Sequence, residues 1–226
     1  MIEATVEKLI AMKLFGMAEG LQEQLNNHAY KDLSFEERLG IIIDKEKLHR
    51  ENRQLKILLA HAHLRHPDAC FENIDFRTRR GLAKDIILNL SRNEWIHRHQ
   101  NVIIVGPTGT GKTFIACSLG NAAVRQGIRT IYLRLPRLAQ ELKISRADGS
   151  FTKLLARLQR IQLLIIDDWG INSFTDEERR GFLEIMEDRH GVRSTIIASQ
   201  FPIDAWHDIC LLYTSDAADD LLCLDL

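Results

Sequence analysis

Eight consecutive residues in the middle of the chain have the types and the spacing needed to hold phosphates. They fit the pattern G-x-x-x-x-G-K-[ST] without a gap: Gly106, Pro107, Thr108, Gly109, Thr110, Gly111, Lys112 and Thr113. Glycines let a backbone turn tightly and approach a ligand, and N–H groups at a helix N-terminus attract anions. We therefore expect Lys112 to contact the β- and γ-phosphates of a nucleotide and the Thr113 hydroxyl to hold Mg²⁺.

The residues on either side supply the context that this motif requires. An apolar run at 101–105 precedes the loop, and residues 114–126 have the apolar spacing of a helix. A glycine-rich turn with a lysine by chance is the simpler alternative, but strand, loop and helix come in the right order. The sequence therefore predicts a phosphate-binding loop for ATP with Mg²⁺.

Two aspartates, Asp167 and Asp168, directly follow a second apolar run at 162–166. The first carboxylate of such a pair can hold Mg²⁺, usually through water. The second can orient or deprotonate an attacking water. A pair of acidic residues is weak evidence alone, but after a phosphate loop it predicts Asp167 as the metal residue and Asp168 as the catalytic carboxylate.

Ser199 and Gln200 follow a further apolar run at 194–198. A polar side chain at this place can sense the γ-phosphate or position water, although a simple exit from a strand into a loop has the same appearance. The sequence does not choose between the two residues. Both stand as catalytic candidates beside Lys112 and Asp168.

The elements that must position these residues alternate along the chain. Four segments are predicted as strands: 101–105, 130–135, 162–166 and 194–198. Helical patterns separate them, which predicts an α/β fold with a parallel sheet flanked by helices. In such a sheet, ligands collect at the carboxyl ends of the strands, where all the candidate residues lie.

Residues 1–67 are predicted to form a small helical N-terminal domain before an ATPase core at 68–209. Residues 3–26 have the spacing of one amphipathic helix, and Ser34 with Glu37 predicts a capping box that opens a second helix. That helix carries a basic run: Lys45, Lys47, Arg50, Arg53, Lys56 and Arg65. A solvated helix face explains this charge about as well as a DNA-binding surface does.

A second basic cluster lies in the connector to the core, at Arg77, Arg79 and Arg80. It precedes a helical pattern at 81–98, and from its position we expect this segment to lie beside the adenine. Histidines are frequent near the end of the basic run, but no cysteine stands at zinc spacing from them, which argues against a metal site there.

Composition bounds the remaining choices. The 226 residues are 45% hydrophobic and 27% charged, with no apolar run as long as a membrane span and no arrangement typical of a signal peptide. Four cysteines without close pairing indicate reduced thiols and a cytoplasmic protein. Residues 210–226 hold four aspartates and no Lys, Arg or Glu, so the preceding residues carry a formal net charge of +3.

Four segments of the chain resemble the IstB-like ATP-binding proteins: TVEKLIAMKLFGMAEGLQEQ, NVIIVGPTGTGKTFIA, LLIIDDWG and TIIASQFP. These are helper ATPases encoded beside insertion-sequence transposases, related to the DnaC helicase loader and the DnaA initiator within the AAA+ superfamily. The resemblance covers roughly residues 1–209. It implies an ATPase that binds DNA, assembles on it as a homo-oligomer and assists a transposase in transposition.

The resemblance ends near Ile209. Family members continue with a helix carrying an arginine that reaches a neighbouring subunit's nucleotide, and then with a helical lid. Residues 210–226 look unlike this, so we expect a truncated chain whose tail is not a native part of the fold. We also expect an uncovered sheet edge beside Ser194 to Ala198.

Two alternatives stay open at this point. One is a DnaC-like helicase loader, whose partner is a replicative helicase. The other is a truncated nucleotide-binding protein with little turnover. A nucleotide kinase fits less well, because no second motif for a phosphate acceptor follows the loop.

Overall fold

A computed structural model describes residues 2–76, 83–170, 175–203, 206 and 221–225. By its internal contacts the chain divides into two compact units, Met1–Ile57 and Leu58–Leu226. The division falls inside a long helix rather than at Pro67. The predicted ranges 1–67, 68–209 and 210–226 stay predictions of domain organisation.

The first unit is helical. Its elements are α1 (Ile2–Ala11), α2 (Phe15–Asn26) and most of α3 (Phe35–Ala62). The single helix predicted over 3–26 is wrong, because Lys13 takes a positive φ of 61° and separates α1 from α2. The predicted capping box is present: Glu37 N donates to Ser34 Oγ over 3.3 Å, and Ser34 N donates to Glu37 Oε2 over 2.8 Å.

Helices α2 and α3 approach each other closely at Gly16. A Cβ at this position would lie 2.6 Å from Glu46 Cα, so only glycine fits without a backbone shift. The close approach lets the Glu46 carboxylate accept a hydrogen bond from Met17 N over 3.1 Å. Glu46 also accepts from Arg50 Nε over 2.7 Å, so one of the basic residues of α3 is engaged inside its own unit.

The second unit is built on a parallel sheet. Its strands are β1 (Asn101–Val105), β2 (Thr130–Arg134), β3 (Leu163–Trp169), β4 (Ser194–Ser199) and β5 (Leu221–Asp225). The helices of this unit are α4 (Lys84–Ser91), α5 (Glu94–His97), α6 (Lys112–Arg125), α7 (Leu135–Ala147), α8 (Phe151–Gln159) and α9 (Asp176–Arg189). The predicted α/β fold with a flanked parallel sheet is confirmed.

Alternate residues of the strands face opposite sides of the sheet. One set packs with α7, α8 and α9 in a core that includes Ile103, Leu133 and Ile166. On the other side α6 lies so close to the sheet that a Cβ on Gly120 would meet Ile165 Cδ1 at 2.7 Å. This close packing presses the helix that follows the phosphate loop against the strand that ends in the two aspartates.

The strand order is β2-β3-β4-β1-β5. The edge expected beside Ser194 to Ala198 is therefore wrong, because β4 lies between β3 and β1. Strand β5, from the C-terminal tail, pairs with β1 in parallel from Asn101↔Leu221 to Val105↔Asp225. Five residues of the tail thus belong to the sheet.

Two features predicted from the sequence lie outside the described residues. They are the basic cluster at Arg77, Arg79 and Arg80, and residues 210–220 of the tail. The helix predicted over 81–98 appears as α4 and α5, separated where Asn93 takes a positive φ of 61°. Among the described helices, none has the length and apolar character needed to cross a membrane.

Candidate functional site

The phosphate loop connects β1 to α6, as predicted. Gly109 and Gly111 have φ values of 86° and 93°, a conformation that glycine adopts without strain. Lys112 is buried, with 8% of its surface exposed, and its Nζ donates to the Pro107 carbonyl over 2.7 Å. Burial lowers the pKa of Lys112, and Asp167 partly opposes this effect. A phosphate group near Nζ would compensate the buried charge.

Asp167 lies beside the loop helix at the carboxyl end of β3. Thr113 Oγ1 donates to Asp167 Oδ2 over 2.7 Å, which joins the two residues predicted to hold Mg²⁺. Tyr132 OH donates to the same oxygen over 2.7 Å, and Asp168 N donates to Oδ1 over 2.8 Å. Burial and the contact with Asp167 raise the pKa of Tyr132, so its phenol is neutral and a hydrogen-bond donor.

Asp168 has different surroundings from its neighbour. Arg134 Nε donates to Asp168 Oδ2 over 2.5 Å, and this bond raises the pKa of Arg134. Asp168 also takes a positive φ of 62°, a conformation that costs a non-glycine residue about 1 kcal/mol or more. The predicted catalytic carboxylate is thus held by a half-exposed cation from β2.

The two candidates on β4 differ in their contacts. Ser199 is fully buried: its Oγ accepts from Phe201 N over 3.0 Å and lies within donor distance of the Phe201 and Trp169 carbonyls. Gln200 Oε1 instead accepts from Thr108 Oγ1 of the phosphate loop over 2.7 Å. The side chain that faces the loop is therefore that of Gln200, whereas the Ser199 side chain holds the turn after β4.

The donor set at this edge of the sheet fits Mg²⁺. A threonine hydroxyl and one carboxylate are hard oxygen ligands, and Mg²⁺ takes its remaining ligands from water and phosphate. Among the described residues there is no group of three or more His, Cys, Asp or Glu side chains that would hold a metal by themselves. The pair Thr113 and Asp167 suits a metal that arrives with a nucleotide.

Comparison with known proteins identifies the family. The family described as IstB-like ATP binding protein matches residues 7–221, nearly the whole chain. The chain belongs to this family. The match includes the first residues of the tail. The IstB-like chain is also 42% identical over 202 residues to the ATP-binding protein of insertion sequence IS1162 from Pseudomonas fluorescens, covering 89% of this chain and 87% of that protein.

Solved structures show the same fold as the IstB-like chain. The DnaC helicase loader matches with a TM-score of 0.56 and 21% identity, over 70% of this chain and 97% of that one. The initiator DnaA bound to AMPPCP and single-stranded DNA matches with a TM-score of 0.59 and 20% identity, over 71% of this chain and half of that one. These likenesses confirm the predicted AAA+ fold.

Two residues of the site were not predicted from the sequence. Tyr132 and Arg134 lie on β2, and each bonds one of the two aspartates. The strand itself was predicted, but its place beside β3 was not. Once β2 is known to lie beside β3, the polar residues at the end of β2 become candidates for the site. No sequence motif marks them before that.

We predict that Ser199→Ala destabilises the IstB-like chain while Gln200→Ala does not. Loss of the buried hydroxyl leaves Phe201 N unpaired and lowers the free energy of unfolding by about 1–2 kcal/mol. Gln200→Ala changes it by less than about 0.5 kcal/mol. Urea unfolding followed by tryptophan fluorescence measures both variants, and equal losses would contradict this division.

Proposed function

We propose that this IstB-like chain binds ATP with Mg²⁺ at the phosphate loop, hydrolyses it, and assembles on DNA as a homo-oligomer that assists a transposase. The observation that carries the nucleotide part is the 2.7 Å hydrogen bond between Thr113 Oγ1 and Asp167 Oδ2. It brings together a hydroxyl and a carboxylate, 54 residues apart in sequence, beside the loop of Gly106 to Thr113.

Each residue has a separate role in the proposed reaction. Lys112 and the loop N–H groups bind the β- and γ-phosphates, and Thr113 and Asp167 hold Mg²⁺. When bound, Mg²⁺ neutralises charge on the phosphates. Asp168 accepts a proton from the attacking water or orients this water. Gln200, which contacts Thr108, senses the γ-phosphate, and Ser199 stabilises the turn after β4. An arginine from a neighbouring subunit would complete the site.

The 42% identity to an insertion-sequence ATP-binding protein favours a transposase partner over a replicative helicase. The likeness to DnaC supports only the fold, because its identity is 21%. A transposase gene beside this one would support the transposition role, and a helicase gene in its place would support the loader alternative. All these partners and the nucleotide imply a cytoplasmic protein.

A second candidate is nucleotide binding with little turnover. It is favoured by the bond between Arg134 and Asp168, which engages the proposed base with a cation. In this bond Asp168 Oδ2 is occupied by Arg134 Nε and is not open to an attacking water. Turnover would then require Asp168 to leave Arg134, whereas binding through Lys112 and Thr113 would not.

We predict that Lys112→Ala weakens ATP binding by on the order of 100-fold, because the phosphates lose a buried cation. Lys143→Ala, at an exposed position of α7, is the matched control and leaves the affinity unchanged. A titration with fluorescent ATP measures both. Unchanged affinity in the Lys112 variant would refute the assignment of the phosphate loop.

We predict different outcomes for the two aspartates. Asp167→Asn weakens Mg²⁺-dependent ATP binding, because the metal loses its carboxylate. Asp168→Asn spares binding and slows hydrolysis by about 100-fold, and asparagine tolerates the positive φ at this position. Binding and hydrolysis are measured on the same preparations with DNA present. If the parent chain turns over no faster than the Asp168 variant, the second candidate replaces ATP hydrolysis.

The proposed DNA surface is the exposed basic side of α3. Lys45 pairs with Glu23 and Arg50 with Glu46, so these two cations are already engaged. Arg53 and Lys56 are exposed, and neither has an ion pair among those that the structure gives for its described residues. Arg53 and Lys56 are therefore better positions for a charge reversal than Arg50, because Arg50→Glu would place a second glutamate beside Glu46.

We predict that Arg53→Glu with Lys56→Glu lowers DNA affinity more than tenfold at low salt. Contacts of this kind bind phosphates whatever the sequence, so affinity in the parent falls steeply with salt, and losing two contacts reduces the slope by roughly 2. The control is Lys8→Glu with Lys31→Glu. Both lysines are exposed in the same unit, and the double variant makes the same change in net charge. Equal effects of the two double variants would place the contact surface elsewhere.

A further inference from the structure

Tyr132 donates its phenol hydrogen bond directly to the carboxylate proposed to hold the metal. Its OH lies 2.7 Å from Asp167 Oδ2. Both side chains are buried, with 6% of Tyr132 and 2% of Asp167 exposed. No motif includes this tyrosine, and its contact exists only because β2 and β3 are neighbours in the sheet.

The register of the two strands explains why the phenol reaches the carboxylate. Arg134 is opposite Asp167 and Tyr132 is opposite Ile165, so Tyr132 lies one pleat before the aspartate. Residues two apart on a strand share a face, which places Tyr132 and Asp167 on the same side of the sheet. That side is the one covered by α6, which carries Thr113.

Two hydroxyls thus converge on one carboxylate oxygen. Thr113 donates from the helix that follows the phosphate loop, and Tyr132 donates from the sheet. The Thr113 oxygen is also the proposed metal ligand, so its position depends on the nucleotide. Tyr132 has no such second role. It is the contact that can hold Asp167 Oδ2 in place before a nucleotide arrives.

We propose that Tyr132 is a positioning residue that fixes the side chain of Asp167 in the orientation needed for Mg²⁺. The inference rests on the proposed binding of ATP with Mg²⁺ at this site and adds a residue that acts through Asp167. Outer partners of this kind orient the groups that hold a metal, and their loss typically lowers metal affinity by about 10- to 100-fold. Tyr132 contacts neither the nucleotide nor the metal directly in this role.

The test is Tyr132→Phe, which keeps the ring and removes one oxygen. Fluorescent ATP is titrated first without Mg²⁺ and then at increasing Mg²⁺ concentrations. We expect the Mg²⁺ concentration for half-maximal enhancement of binding to rise about tenfold. The affinity without Mg²⁺ stays unchanged, and saturating Mg²⁺ restores the parent affinity. A role in packing alone would not produce this separation.

Tyr30→Phe is a matched control. Tyr30 OH also donates to a carboxylate, Glu23 Oε1, over 3.0 Å, but in the N-terminal unit. Tyr30→Phe therefore also removes a phenol oxygen that donates to a carboxylate, but outside the phosphate site. This variant keeps the parent response to Mg²⁺, and melting temperatures of both variants show that each is folded.

A double variant tests whether Tyr132 acts through Asp167. In an Asp167→Asn background, Tyr132→Phe adds no further change to the Mg²⁺ response, because the group it positions is already lost. The proposal is overturned if Tyr132→Phe leaves the Mg²⁺ midpoint unchanged, if it weakens binding equally with and without Mg²⁺, or if its effect persists in full in the double variant.

The parent chain separates this proposal from the function on which it rests. If the parent binds ATP in a Mg²⁺-dependent way and Tyr132→Phe behaves as the parent, only the role of Tyr132 is wrong. If the parent does not bind ATP with Mg²⁺ at all, the proposed function fails and the role of Tyr132 fails with it.

Discussion

The buried carboxylate of Asp167 is the constraint around which the site is arranged. A charged group that is 2% exposed is costly unless donors surround it. Three donors do so, and they come from three places in the fold: Thr113 on α6, Tyr132 on β2 and the backbone N–H of Asp168. Satisfying this one charge ties the phosphate-loop helix to two neighbouring strands.

The two adjacent aspartates are separated by environment rather than by sequence. Asp167 is buried, and its hydrogen-bond donors are two hydroxyls and a backbone N–H. Asp168 is partly exposed, lies at a strained backbone conformation and is bound by Arg134. Two residues of one type, next to each other, thereby have the different surroundings on which their proposed roles in metal binding and catalysis rest.

The opposite end of the sheet is held by a different buried charge. Arg189, with 1% exposed, donates to the carbonyls of Leu158, Ile161 and Ser194 and to Thr195 Oγ1. Burial lowers its pKa to about 9. These bonds join the end of α8, the end of α9 and the start of β4. One end of the sheet thus carries the candidate chemistry, and the other serves structure.

The tail strand changes how the sheet is completed. Strand β4 is internal, and β5 pairs along the whole of β1, so the strand that leads into the phosphate loop has a partner on each side. Pairing on both sides satisfies the backbone groups of β1 and restrains the point at which the loop begins. The composition of the tail, with its four aspartates, gave no sign of this pairing.

The sequence by itself determined the local features of this protein. Alternating strands and helices, the glycine-rich loop and the aspartates after an apolar run all depend on short-range patterns, so the fold class was predicted correctly and the loop lies between a strand and a helix as expected. The capping box at Ser34 is local in the same way. The helix over 3–26 was predicted wrongly because a single residue, Lys13, adopts a positive φ that its type does not signal.

Only the tertiary structure decided which strands are neighbours and which side chains meet between them. Strand order is a long-range property. The hydrogen bonds between strands join backbone groups, so the residue types along a strand do not specify its neighbour. The contacts of Asp167 with Tyr132, Asp168 with Arg134 and Thr108 with Gln200 therefore had no signal in the sequence. The distinction between Ser199 and Gln200 has the same origin. The Ser199 side chain is buried at the end of β4, and the side chain of the next residue, Gln200, reaches the loop.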